Sequence, residues 1–218
     1  MRHGVVALLC AVPAEERLLR RFAGPDVRIV VTGMGPGPAE RSARHAIADG
    51  ASFAISVGFC GALDPALERG DVVIPVSVRD WATGDAWPCD AALARGAGTP
   101  RGTLVTTDHV VSGPGERTRL VGLAVDMESA GAARACAQAG VPFAAIRAVT
   151  DRMDDVLPDL DGVVDGSGNV HPLRVLRRLA TRPSDIAAWA RLARGARAAR
   201  QSLVPAVAAA LAGEAMAA

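Results

Sequence analysis

The sequence predicts an α/β protein, a sheet with helices on both faces, and two observations predict it. Short continuous apolar runs alternate with stretches of helical periodicity, the order expected when strands are joined through helices. Two of those runs end in glycine-rich turns, Gly33-Met34-Gly35-Pro36-Gly37-Pro38 and Gly58-Phe59-Cys60-Gly61-Ala62-Leu63, the kind of punctuation that closes a strand.

Val5–Cys10 is a continuous apolar run and reads as a buried strand; Pro13–Phe22 reads as a helix, with Pro in its first turn and Glu15 and Glu16 near its positive end. Val27–Thr32 is a second strand, and its glycine turn leads into a helix over Ala39–Asp49 that stops at Gly50. Phe53–Val57 and Val72–Val78 are further strands. Residues 79–101 hold Trp81, Trp87 and several chain breakers with little periodicity, and read as loop. Leu104–Thr107 is a short strand and Ser112–Glu116 a turn. Next comes a compact unit over Leu123–Asp155: an apolar strand, an acidic turn of Asp126, Met127 and Glu128, a small-residue helix stopped by Gly140, a second apolar strand and an acidic exit. If its two strands lie side by side, Glu128 and Asp151 open onto one crevice, because ligands of α/β sheets collect beyond the carboxyl ends of strands. Leu157–Val170 reads as an acidic surface loop, Pro172–Ala180 and Ser184–Leu203 as helices, the second capped by Ser184, and Pro205 as the start of another helix.

Half of the 218 residues are hydrophobic and the net charge is +1, which suits one well-packed core. Cys10, Cys60, Cys89 and Cys136 lie far apart with no C-x-x-C pair, so neither structural zinc nor a disulfide framework is expected, and no metal site is read. The N-terminal run lacks a small-residue cleavage site, and no apolar run reaches the roughly 18 residues a membrane span needs. The expected location is cytoplasmic, or peripheral on the cytoplasmic face. The balanced charge conceals an asymmetry: residues 1–170 hold 16 Arg against 21 acidic residues, net −5, whereas 171–218 hold 8 Arg against 2, net +6.

Local chemistry leaves alternatives open at each candidate residue. Gly33, Gly35 and Gly37 precede a helix and could hold a phosphate at its N-terminus, although Pro36 and Pro38 lack N–H groups and a plain tight turn has the same pattern. Glu128 could accept two hydrogen bonds from a vicinal diol, or merely favour a helix N-terminus. Asp151 could hold and donate a proton, or cap a solvated acidic turn.

The combination is more specific. The stretches AVPAEERLL, VGFCGALDPALERGDVVI and VDMESAGAARACAQAGVPFAAIRAVTD stand in the order and spacing of the nucleoside phosphorylase and nucleosidase superfamily, over roughly residues 4–155. Within it the chain most resembles bacterial methylthioadenosine/S-adenosylhomocysteine nucleosidases and the hopanoid-associated phosphorylases. The resemblance implies a three-layer fold, a central mixed sheet flanked by helices, with a catalytic domain over 1–170 and a basic helical extension over 171–218. It implies cleavage of the N-glycosidic bond of an adenosine-type nucleoside. Asp151 then protonates purine N7 with Thr150 orienting it, Glu128 binds the ribose hydroxyls with Met127 under the sugar, and Glu15 positions the attacking water. Val110 and Val111 meet the base, Gly58 and Phe59 belong to the second glycine turn at the substrate, and Arg147 gives structural support beside Asp151. No cofactor is implied, and phosphate is the alternative nucleophile.

Departures from the family matter too. Hexameric purine phosphorylases carry an Arg and a Ser around the second glycine turn, where this chain has Ser56 and Phe59, so two phosphate anchors are missing and hydrolysis is favoured. The segment between the first helix and the second strand is short, which opens the 5′ side to a large substituent. Adenosylhopane is therefore the expected substrate, methylthioadenosine or S-adenosylhomocysteine the alternative, and a silent nucleoside-binding protein a third reading. The resemblance implies a homodimer. Arg191, Arg194, Arg197 and Arg200, with Trp189, Leu192 and Leu203 nearby, give 184–203 the look of a basic amphipathic helix that could lie on anionic lipid; a solvated face of a packed helix has the same composition. Few aromatics and no second basic face make nucleic acid a poor partner.

Overall fold

The structure, a computed structural model, describes residues 4–159 and 185–215. In these residues nine strands form one mixed sheet: β1 Val5–Cys10, β2 Val27–Val31, β3 Ala51–Ala62, β4 Val72–Val73, β5 Ser77–Asp80, β6 Ala86–Pro88, β7 Thr103–Thr106, β8 Ala124–Asp126 and β9 Phe143–Asp151. The main path runs β2-β1-β3-β8-β7-β5-β6, and β9 pairs with β3 and β4. Helices are α1 Pro13–Leu19, α2 Pro36–Ala48, α3 Pro114–Arg117, α4 Ser129–Ala139 and α5 Ile186–Ala215, with 3-10 turns at Arg20–Phe22 and Ala91–Ala94.

The period of two along each central strand divides the interior into two cores. Ala7 and Leu9 of β1 and Ala145 and Val149 of β9 pack with α2 and α4, whereas Val6, Leu8 and Cys10 and Ala144, Ile146 and Ala148 pack with Leu19 of α1 and Leu203 and Val207 of α5. The result is the three-layer arrangement expected, with a mixed sheet between helices.

β3 is the central element. It pairs in parallel with β1 and β9, and antiparallel with β8 at its end, so that Gly61 has Val125 on one side and Asp151 on the other. β8 and β9 are therefore separated by β3 rather than adjacent, and the two acids of the Leu123–Asp155 unit face it from opposite edges.

Several boundaries differ from the sequence expectation for physical reasons. Gly58 and Gly61 read as a turn but lie inside a twelve-residue strand; they are glycines because side chains from other elements approach them closely. Val72–Val78 is two strands, β4 against β9 and β5 against β6 and β7. α2 begins at Pro36, since proline fits the first helical turn, and the end of the first helix tightens into a 3-10 turn. Residues 79–101 include β6 and a 3-10 turn, and the 112–116 turn is a short helix. The two C-terminal helices are one, running through Pro205. A mid-helix proline costs roughly 3 kcal/mol, offset here by burial of Leu203, Ala206, Val207 and Ala210.

α5 crosses the end of β9. At Gly195 an added Cβ would collide with the Thr150 carbonyl, so backbone meets backbone. Leu203 is fully buried and unavailable to a bilayer, while Arg194, Arg197 and Arg200 are exposed. No helix of the described residues is long and apolar enough to cross a membrane. The expected helix over 172–180, the Ser184 cap and the boundary at 170 lie outside the described residues.

Candidate active site

Two groups of polar side chains flank the C-terminal half of β3. The first is centred on Arg147 of β9, 2 % exposed. Its Nε and Nη2 donate to Asp126 Oδ2 at 2.9 and 2.7 Å, and Nη2 also donates to Ser56 Oγ and Ser129 Oγ at 2.7 and 2.9 Å. The other oxygen of Asp126 accepts from Thr106 Oγ1 at 2.6 Å, and Ser129 N donates to Oδ2 at 3.1 Å. The start of α4 is thus capped by Asp126, aided by Thr106 Oγ1, which accepts from Ala130 N at 3.0 Å.

That capping leaves Glu128 free to serve elsewhere. Although it occupies the N-cap position of α4, its side chain makes no cap bond and instead accepts from Gly35 N at 3.0 Å, across the gap to the first glycine turn. Gly35 has φ +95°, a backbone conformation L side chains rarely adopt. Gly33 N donates to Ala11 O at 3.0 Å, so two of the turn's three glycine amides already have acceptors. Gly131 of α4 lies directly against the carbonyl of Pro36, which fixes the turn beside Glu128.

Glu15 enters the same group from α1. One oxygen caps its own helix, accepting from Ala11 N at 2.8 Å and Val12 N at 3.3 Å, and the other accepts from Phe59 N at 3.2 Å. A Cβ at position 58 would lie 2.6 Å from Glu15 Oε1 and 2.7 Å from Arg147 Nη1. Gly58 is therefore the point at which the acid and the guanidinium converge.

The electrostatics follow from three carboxylates around one guanidinium. Burial pushes the Glu15 carboxyl above its ordinary range, against the pull of Arg147 and three backbone donors. Burial first, then the charge of Asp126, push Glu128 up to about 8. Burial opposes the charge on Arg147, but Asp126, Glu128 and Glu15 outweigh it and hold its proton more tightly. Glu128 thus binds a proton on folding between its unfolded value near 4.5 and about 8, and its contribution to stability, full below about 4.5, is lost as pH rises through that window. Melting temperature should fall from pH 5 to pH 8, and Glu128→Gln should flatten that fall; an unchanged slope in the variant would place the titration on another group.

The second group surrounds Asp151, 6 % exposed. Thr150 Oγ1 donates to Oδ1 at 2.5 Å and stands 3.2 Å from Cys60 O. Oδ2 pairs with the buried guanidinium of Arg117, and a Cβ on Gly61 would lie 2.8 Å from it. Burial holds the neighbouring Cys60 thiol well above its ordinary range, which leaves it inert as a nucleophile. Val111 is buried beside this group with Leu63, Val105, Leu120 and Val125, and Val110 is 38 % exposed. Met127 is half-buried between Asp126 and Glu128.

β3 joins the two groups. Gly58 pairs with Arg147 and Gly61 with Asp151, three strand residues or about 10 Å apart. Glu15, Glu128, Gly58, Phe59 and the Gly33–Gly37 turn gather at one end of that span, and Thr150, Asp151 and Val111 at the other. Arg147, expected beside Asp151, instead supports the Glu15 and Glu128 end.

The phosphorylase superfamily model matches residues 10–88 and 88–180. The chain belongs to the phosphorylase superfamily. No curated protein is significantly similar to it. Among solved structures, this superfamily member is similar to the 5′-methylthioadenosine/S-adenosylhomocysteine nucleosidase of Neisseria meningitidis in complex with methylthio-immucillin-A, at 21 % identity and a TM-score of 0.70, covering 95 % of this chain and 98 % of that one. It is similar to the S-adenosylhomocysteine nucleosidase of Streptococcus pyogenes in complex with 5-methylthiotubericidin, at 19 % identity and a TM-score of 0.65, over 95 % and 97 % of the two chains. Futalosine hydrolase of Helicobacter pylori matches at 16 % identity and a TM-score of 0.67, over 94 % and 97 %. At these identities the likeness is one of fold.

Sequence reasoning missed Asp126, Ser56, Ser129, Thr106 and Arg117. Asp126 carried a signal, since an acid closing an apolar strand must find a buried partner. Arg117 carried none, because an arginine in a Gly-, Pro- and Glu-containing turn reads as exposed.

Proposed function

We propose that the protein hydrolyses the N-glycosidic bond of an adenosine-type nucleoside and releases adenine. The reading is carried by one observation: Glu15 and Glu128 converge beside the Arg147–Asp126 pair at the first glycine turn, where the Gly35 and Phe59 amides already serve these two side chains rather than a phosphate. Glu128 accepts hydrogen bonds from the ribose hydroxyls. Asp151, protonated before the chemical step, gives that proton to purine N7 as the C1′–N9 bond breaks, so that the bonding pair leaves with a neutral base and the side chain returns to the carboxylate that pairs with Arg117. Water on the Glu15 side forms the new bond to C1′ and passes its proton to that carboxylate, whose proton affinity burial raises. Water is favoured over phosphate because Gly35 N, a donor a phosphate would need, already serves Glu128.

Two substrates are supported by separate observations. Exposed Arg194, Arg197 and Arg200 on α5 favour a nucleoside carried at an anionic membrane surface, such as adenosylhopane. The near full-length overlap in fold with methylthioadenosine/S-adenosylhomocysteine nucleosidases favours those nucleosides. Incubating purified protein with methylthioadenosine and with a lipid-linked adenosine, each with and without phosphate, decides between them. Adenine should appear equally with and without phosphate. Strict dependence on phosphate would make phosphate the nucleophile, and no adenine from any mixture would leave a nucleoside-binding protein.

A further inference from the structure

Arg117 is a buried cation that the mechanism above does not use. It is 1 % exposed and stands at the end of the four-residue helix α3. A guanidinium taken so far from water is costly unless its N–H groups find acceptors. Nη2 donates to Asp151 Oδ2 and to Val111 O, the latter at 3.2 Å. Nη1 donates to Arg152 O and to Ala62 O, the latter at 3.5 Å. Nε has no partner among the described residues.

These acceptors come from three separate stretches: the segment before α3, the end of β3 and the exit of β9. Their approach depends on Gly61, where a Cβ would lie 2.8 Å from Asp151 Oδ2 and 3.5 Å from Arg117 Nη2. A second tie runs between the same segments, Leu157 N donating to Ser112 O at 2.8 Å. His109 closes the segment on itself, its ring nitrogens 2.7 Å from Asp108 Oδ1 and 2.5 Å from Glu116 Oε1.

We propose that Arg117 is a positioning residue for the acid: one guanidinium nitrogen holds both the Asp151 carboxylate and the Val111 carbonyl, so the proton donor and the segment that meets the base keep their spacing when substrate binds. The role rests on the assignment of Asp151 as the acid. A planar fork can serve all of these acceptors at once, whereas an ammonium reaches only a subset. Losing the fork displaces the acid while Glu128 still grips the sugar, so the defect belongs in turnover more than in binding.

Adenine release by Arg117→Met, Arg117→Lys and Asp151→Asn, with melting temperatures for each, tests this. The Met variant should lose about 100-fold in kcat, the scale of a misplacement near 1 Å, with KM changed less than about fivefold. The Lys variant, able to reach Asp151 but not every carbonyl, should lose only about tenfold in kcat. A folded Met variant with wild-type kcat, or one impaired in KM alone, overturns the proposal. If the Met variant does not fold, wild-type kcat in the Lys variant overturns it. Full activity in Asp151→Asn would overturn the acid assignment instead, while an inactive Asp151→Asn beside an unimpaired Arg117→Met would sink the positioning role alone.

Discussion

Asp151→Asn should lower adenine release by about a thousandfold, within the range that a positioned general acid contributes. Asparagine keeps the shape of the side chain but cannot donate a carboxyl proton, so the base must leave as an anion. The substitution also removes the partner of Arg117, yet that guanidinium keeps carbonyl acceptors at Val111, Arg152 and Ala62. The variant should therefore unfold cooperatively at a somewhat lower temperature, which thermal denaturation followed by circular dichroism would check. Retention of wild-type adenine release by a folded Asp151→Asn protein would remove Asp151 from the mechanism.

Arg147→Met should have the largest effect on stability. The side chain is 3 % exposed and faces Asp126 at 0 %, and removing one partner from a buried pair costs about 3–5 kcal/mol. For a chain of this length that is roughly a 10 °C fall in melting temperature. Asp126 would be left buried without the guanidinium that holds its Oδ2, and Ser56 and Ser129 would lose their donor. A melting temperature within about 2 °C of wild type would mean that water or a counterion reaches the cluster, and would weaken the claim that it is desolvated.

The layers of the fold were legible because β1, β3 and β9 are apolar on both faces and the intervening helices are not. The same residues made β3 hard to read. Gly58 and Gly61 look like turn residues in a sequence, and only the approach of Glu15, Arg147 and Asp151 from other elements explains why a strand carries them. Candidate acids at 15, 128 and 151 could be named from the AVPAEERLL stretch, the M-E pair and the R-x-x-x-D spacing, because family motifs fix residue types at fixed offsets. Their partners could not, since Arg117 lies 34 residues from Asp151 and Gly35 lies 93 from Glu128. The position assigned to Arg147 failed for a related reason: four residues along a strand is about 13 Å, enough to move a side chain from one end of the site to the other.

Gly131 illustrates where sequence change would be least tolerated. It touches neither sugar nor base in the proposed mechanism, and its whole contribution is an empty volume that lets the Pro36 carbonyl come close to α4. A single methyl group there would push the first glycine turn away and take the Gly35 amide from Glu128. Gly58 and Gly61 stand in the same relation to Glu15, Arg147 and Asp151. Drift in this chain is thus constrained at positions with no functional groups, and a survey restricted to residues capable of chemistry would overlook them.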